Sequence, residues 1–210
     1  SGRYISIDYY RQKDVLKKTD FRLNRVKRLR APAGVDNNSV EIYRFEYVEK
    51  LKNGELKAGY TAVYDAYNHK THYGYTKDHR LDRIEKFRGN QASNYSLYST
   101  EKYFWDNEGS LTCRYISDQN SQILAARTFD YDKRGNVIKD VFYGNLQGDS
   151  IPIKLNKKSN RPQENGCHSF AMHYSYSDDG YNLLLEEKEP NGKTTRYSYE
   201  DETKLLKSKF

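Results

Sequence analysis

Two cysteines, one methionine, one tryptophan and four prolines are all that the 210 residues contain of these types, and no apolar run approaches the length of a membrane-spanning helix. Each shortage excludes something. Cys113 and Cys167 are too few for a disulfide framework; a single bridge between them is open, and two free buried thiols are the favoured reading. There is no phosphate-cradling loop and no dinucleotide-binding glycine fingerprint. Helical periodicity is also missing, with Leu183 to Lys188 the nearest approach to a helical turn. No signal peptide is visible, and the chain opens on Ser1 and Gly2 without Met, so a cloning scar on a piece of a longer protein is expected.

What the chain has in excess is tyrosine, 21 residues against 8 phenylalanines. Mean hydropathy is low, −1.06, with 31% charged residues, a balance that would suit disorder. Disordered chains are poor in aromatics, however, and this one is not. Tyrosine buries a large ring while its hydroxyl finds water or a partner, so a sheet can be built on tyrosine ladders without a thick aliphatic core. The net charge of +7 favours acidic partners at long range. Its densest groups are Arg22, Arg25, Lys27, Arg28 and Arg30 in a strand-like stretch, and Lys154, Lys157, Lys158 and Arg161 in a loop. A solvated strand face accounts for both. Basic residues among aromatics can bind single strands, but no RNA- or DNA-binding motif accompanies them, and nucleic acid is not an expected partner.

The organising stretch is RTFDYDKRGNVIKDVFY, Arg127 to Tyr143, which reads as one hairpin. Phe129 and Tyr131 point to one face of a strand; Asp132 to Gly135 turns the chain; Val137 opens the β-branched return strand. The pattern recurs. Tyr103, Trp105, Asp106, Gly109 and Leu111 repeat its spacing, and Tyr174, Tyr176, Gly180 and Leu183 repeat it with one residue inserted. Tyr73, Tyr75 and Leu81 keep the aromatics and the apolar step, with His79 where glycine is expected; Tyr197, Tyr199 and Leu205 form a last copy, also without the glycine. The second aromatics, Tyr75, Trp105, Tyr131, Tyr176 and Tyr199, are unevenly spaced, which suits hairpins with variable loops better than propeller blades.

This recurring Tyr-x-Tyr-Asp-x-x-Gly-x-Leu pattern resembles the YD-repeat or RHS (rearrangement hot spot) family, with FDYDKRGNVI the best copy, over about Gly59 to Phe210. Upstream, RVKRLRAPAG followed by VEIYRFEY is similar to an inter-repeat segment of such proteins. Residues 1–58 are therefore expected to be an N-terminal strand segment leading into repeats at 59–210, all in one continuous sheet.

The remaining local signals agree with that division. Tyr4 to Tyr10 alternates as a strand with Ile5, Ile7 and Tyr9 on one face, and a turn is expected at Val35 to Asn38. Tyr43, Phe45 and Tyr47 share a face of a strand at Glu41 to Val48. Asn53-Gly54 predicts a hairpin between strands ending at Leu51 and beginning at Leu56, and Asn191-Gly192 another between Leu183 to Glu189 and Lys193 to Tyr199. Gly144 to Gly166, with Pro152 and Pro162, is the longest loop and is expected to protrude or be mobile. The fold class is thus all-β: consecutive antiparallel hairpins in a twisted, curved repeat sheet. Its open edge strands predict some self-association.

Chemical constellations are weak. His69, His72 and His79 with Asp78 could in principle hold zinc, but on a strand His69 and His72 would face opposite sides, and surface or turn histidines are the plainer reading. Cys167, His168 and His173 suggest a Cys-His pair without an orienting group or oxyanion site. Asp106 and Asp132 recur with the repeat and read as turn formers, not as acid/base groups. No catalytic residue, metal or cofactor is expected.

The resemblance implies a non-enzymatic segment of a β-shell that encloses or presents a C-terminal toxin domain of the same parent chain, in a secreted or cell-surface polymorphic-toxin-like or Tc-toxin-like protein. Partners would then be neighbouring repeats and the enclosed domain. The alternative is a cell-surface module that binds carbohydrate or cell wall through exposed tyrosines and Trp105.

Overall fold

Aromatic and β-branched residues alternating with polar ones, interrupted by short Asp, Asn and Gly segments, leave the backbone little choice but strands joined by tight turns. The computed structural model describes residues 4–15, 20–33, 38–53, 55–145, 148, 151–163 and 167–210. It contains β1 (Ser6–Tyr9), β2 (Val26–Ala33), β3 (Asn38–Lys52), β4 (Glu55–Asp65), β5 (Lys70–Thr76), β6 (Leu81–Arg88), β7 (Ser96–Trp105), β8 (Leu111–Asp118), β9 (Ile123–Tyr131), β10 (Val137–Gly144), β11 (His168–Tyr176), β12 (Leu184–Lys188), β13 (Thr194–Tyr199) and β14 (Leu206–Lys209). The strands follow chain order in one open sheet. The only helical element among the described residues is a single 3-10 turn at Gln12–Asp14. The expected all-β run of consecutive antiparallel hairpins is what forms. Ser1, Gly2, residues 34–37 of the turn expected after Pro32, and Gly54 lie outside the described residues.

Two compact units divide the chain, Ser1–Glu101 and Lys102–Phe210. In the first, β3 and β4 make the longest hairpin, paired from Tyr43↔Asp65 to Lys52↔Glu55. Between β1 and β2 the chain folds back, with the Tyr10 N–H donating to Arg25 O and the Asn24 N–H to Tyr10 O. This buries Tyr10 and Val15, and sets the Tyr10 ring edge-on to Tyr47 with centroids 6.1 Å apart. Gly59 sits opposite Tyr75, and a Cβ there would lie 2.3 Å from the tyrosine ring. Only glycine lets that ring lie on the sheet.

The second unit has its core on one face. Register places Val141, Thr128 and Cys113 in one row and Tyr143, Ala126 and Tyr115 in the next. Cys113 is fully buried, and Ala126, Val141 and Tyr143 form the core with Ile153. Ile153 belongs to the long connection between β10 and β11. The described part of that connection does not protrude; it lies on the sheet. An isolated bridge joins Leu155 to Pro162, Arg161 Nη2 donates to Phe129 O at 2.6 Å, and Arg161 pairs with Asp130 at 2.6 Å. One buried isoleucine and one two-way arginine therefore turn an apparently polar loop into a cover.

Candidate functional site

The repeat signature resolves into two devices, a turn and a tyrosine tie. Six hairpins close through the same five-residue turn: Asp65–His69, Thr76–Arg80, Asp106–Ser110, Asp118–Gln122, Asp132–Asn136 and Glu189–Lys193. In each, the first residue donates its N–H to the fifth carbonyl and accepts from the fourth N–H. The fourth residue takes positive φ: Asn68 (63°), His79 (58°), Gly109 (98°), Ser121 (64°), Gly135 (85°) and Gly192 (86°). His79 thus adopts the conformation glycine takes elsewhere, so the copy that lacks glycine keeps the turn type. The last copy, ending at Leu205, is one residue longer and gives the positive φ to Lys204 (57°). The turn at Ser177–Leu183 is longer still, with Gly180 at 85°.

The first residue of the turn is Asp where the signature demands it, because its carboxylate gathers the backbone donors that the turn leaves unpaired. Asp132 Oδ1 accepts from the Arg134 and Asn136 N–H groups, and Asp106 Oδ1 accepts from Glu108, Gly109 and Ser110. Asp65 and Asp118 do the same in turns without glycine, which the glycine-centred pattern overlooked. The usable signal was Asp followed three residues later by Asn or Ser.

The second aromatic of the signature ties neighbouring strands. Tyr131, last in β9, donates its hydroxyl to the carbonyl of Leu111, first in β8, at 2.8 Å. Tyr176, last in β11, reaches Val137, first in β10, at 3.0 Å; Tyr199, last in β13, reaches Leu184, first in β12, at 2.9 Å. Tyr47 makes the equivalent bond to Val26 at 2.9 Å, outside the stretch where the repeat is readable. Antiparallel pairing puts the start of one strand beside the end of the next, where its first carbonyl has no ladder partner. The hydroxyl supplies one. Burial holds the Tyr131 and Tyr176 hydroxyls above the usual tyrosine range, so they remain protonated donors. Tyr75 departs from the rule: its hydroxyl lies buried over Gly59, beside Arg25 and Glu49 and not on a strand-opening carbonyl.

The other signature positions fall at strand ends. Leu81 opens β6 opposite Tyr75; Tyr103 and Trp105 close β7, with Trp105 half-buried; Phe129 and Tyr174 stand two residues before the tying tyrosines. Tyr197 donates to Glu187 at 2.6 Å. Tyr73 is exposed, and Leu205 stands exposed in the last turn instead of entering a strand.

The weaker constellations disperse. His69 sits in a turn and pairs with Asp65 at 3.0 Å, while His72 lies on β5 and His79 in the next turn. No group of three metal-ligating side chains forms among the described residues. Cys113 and Cys167 are both free; Cys113 is buried and its thiol pushed up to about 11 by desolvation, whereas Cys167 is only partly covered. The basic group near β2 is matched by carboxylates: Arg22 with Asp20, Arg25 with Glu49, Lys27 with Asp14, Arg28 with Glu41 and Arg30 with Asp8. Its phosphate-facing charge is correspondingly reduced. A shallow recess of about 210 Å³ is lined by Asp106, Tyr131, Asp132 and Arg161, with both aspartates accepting backbone hydrogen bonds from their own turns.

No family model matches the sequence, and no curated protein matches it. Solved structures do. A chain of TcdB2-TccC3 is 15% identical with a TM-score of 0.59, covering 98% of this chain and 9% of its own length. TcdB2-TccC3 without its hypervariable C-terminal region is 11% identical with a TM-score of 0.36, covering 98% of this chain and 15% of its own. The Photorhabdus luminescens Tc holotoxin pore gives 11% identity and a TM-score of 0.24 over the same shares. This chain therefore spans a small fraction of the proteins it is similar to, and the first of these similarities shows a shared fold over 98% of this chain.

Proposed function

We propose that the chain is a non-enzymatic wall segment of a YD/RHS-type β-shell in an exported, toxin-like parent protein, and that this shell encloses a C-terminal effector domain. The observation that carries the reading is the repeated unit of Asp-capped turn and tyrosine-to-carbonyl tie, set in a sheet whose strands pair strictly in chain order. A unit that ties only to its neighbours can be extended without limit, as a container wall requires. Its conspicuous polar groups are committed to turns, ties and ion pairs, which supports a structural role over catalysis.

The test is made on the full-length parent, purified natively and compared under native and denaturing conditions. A C-terminal fragment that is severed yet co-purifies is the expected result. One intact chain holding nothing would overturn the container reading. The second reading, attachment to glycan, draws on Tyr43 and Tyr73, exposed to 44% and 41% on the same sheet face. It requires that Tyr43→Ala with Tyr73→Ala abolish retention on a cell-wall polysaccharide column.

A further inference from the structure

His72 is built into an aromatic layer. It lies on β5 with its ring stacked on Tyr60 at 4.4 Å and tilted against Phe87 at 4.6 Å, and its side chain is 16% exposed. The cross-strand row through it reads Glu46, Ala62, His72 and Glu85, with Ala62 buried. Glu85 is the carboxylate within reach, at 3.6 Å from Nδ1, and it is shared with Arg83 at 3.5 Å. On the other side the Lys70 ammonium sits over the same Phe87 ring at 4.1 Å and over Tyr95 at 4.3 Å. Arg44 covers Tyr64 at 4.2 Å, and Tyr64 donates to Glu46. Lys70, Arg83 and Glu85, the charged groups that act on the imidazole, are thus already engaged, and the Phe87 face already carries one cation.

We propose that His72 makes the β4 to β6 part of the first unit an acid-sensitive seam, closed with a neutral imidazole and loosened when the ring takes a proton. A protonated ring would set a second cation beside Lys70 on Phe87 and would compete with Arg83 for Glu85. Burial and Lys70 both hold its proton affinity below the ordinary histidine value, with Glu85 opposing them. The sign follows by linkage. A base whose folded pKa is depressed contributes stability that is present above its unfolded value and lost as pH falls below it. His69, paired with Asp65 in an exposed turn, lacks such an enclosure. The inference does not depend on what the wall encloses.

The experiment is amide hydrogen exchange on the whole chain at pH 7.5 and 5.5, corrected for intrinsic rates, with the His72 imidazole followed by NMR over the same range. Protection of β5 and β6 amides is expected to fall several-fold between the two values, while β9 and β10 hold theirs. His72→Phe, which keeps both ring contacts, removes the pH dependence. If it fails to fold, His72→Gln and the wild-type NMR midpoint decide instead. A His72 midpoint at or above the ordinary histidine value, equal protection at both pH values, or an unchanged dependence in the variant would each overturn the proposal.

Discussion

At the scale of single residues, what this sheet needs from tyrosine differs with position. The ring fills the layer, which phenylalanine could do as well; the hydroxyl closes a carbonyl at the start of the preceding strand, which phenylalanine cannot. Tyr131→Phe, Tyr176→Phe and Tyr199→Phe should therefore each lower stability by about 1 kcal/mol in urea unfolding, the usual worth of an intramolecular hydrogen bond, with no change in the unfolding slope. Tyr67→Phe is the control: that side chain is 77% exposed in a turn, and its midpoint should not move. Equal midpoints for all four variants would reduce the tie to incidental geometry. The preponderance of tyrosine over phenylalanine reflects this division of labour; Trp105, which carries an indole N–H in place of a hydroxyl, and Tyr75, whose hydroxyl lies over Gly59, stand in the copies that depart from it.

Among the elements, the turns are where sequence reasoning was most accurate and also where it stopped short. Asp132 to Gly135 announced itself because glycine at positive φ has a visible letter; Asn68 and Ser121 perform the same bend in turns whose sequences, DAYNH and DQNSQ, look unremarkable. Nothing lies within 4 Å of a Cβ placed on Gly135, so a substitution there acts through the backbone alone. Gly135→Val should cost about 1–2 kcal/mol, and His79→Gly should return up to about 1 kcal/mol by relieving the same conformation in the first copy; paired thermal melts check both. The loop between β10 and β11 hides its anchor: two isoleucines, two leucines and two prolines scattered among polar residues carry no periodicity. Ile153 nonetheless caps the core over Ala126, Val141 and Tyr143. Ile153→Ala should cost about 2–4 kcal/mol and admit thiol reagent to Cys113, which in the wild type should react only after Cys167 because it is buried and Cys167 is partly exposed. Simultaneous modification of both thiols in the wild type would show that the cover does not seal the sheet.

At the scale of the whole sheet, strand order equal to chain order leaves β1 and β14, among the described residues, with a neighbour on one side only. Just past β14 the backbone of Phe210 exchanges both hydrogen bonds with Arg196, and within it the side chains of Ser208 and Ser198 meet across the pair, so the backbone groups of Lys207 and Lys209 point away from β13. Apolar side chains accompany that open ladder: Leu206 and Phe210 are 56% and 69% exposed, and Ile5, Ile7 and Tyr9 near the other edge are exposed too. Lysines on an edge strand oppose pairing by charge repulsion, and salt weakens that repulsion because the Debye length falls from about 10 Å at 0.1 M to about 3 Å at 1 M. The 210-residue chain should therefore show a mass by light scattering that rises with concentration, and rises further at high salt. Lys207→Val with Lys209→Val should bring that association down to low salt, whereas Leu206→Lys with Phe210→Lys should suppress it. A mass that stays monomeric through every salt and concentration, in the wild type and in the valine variant alike, would mean that the exposed edges are already protected by their own geometry and that the lysines are not what guards them.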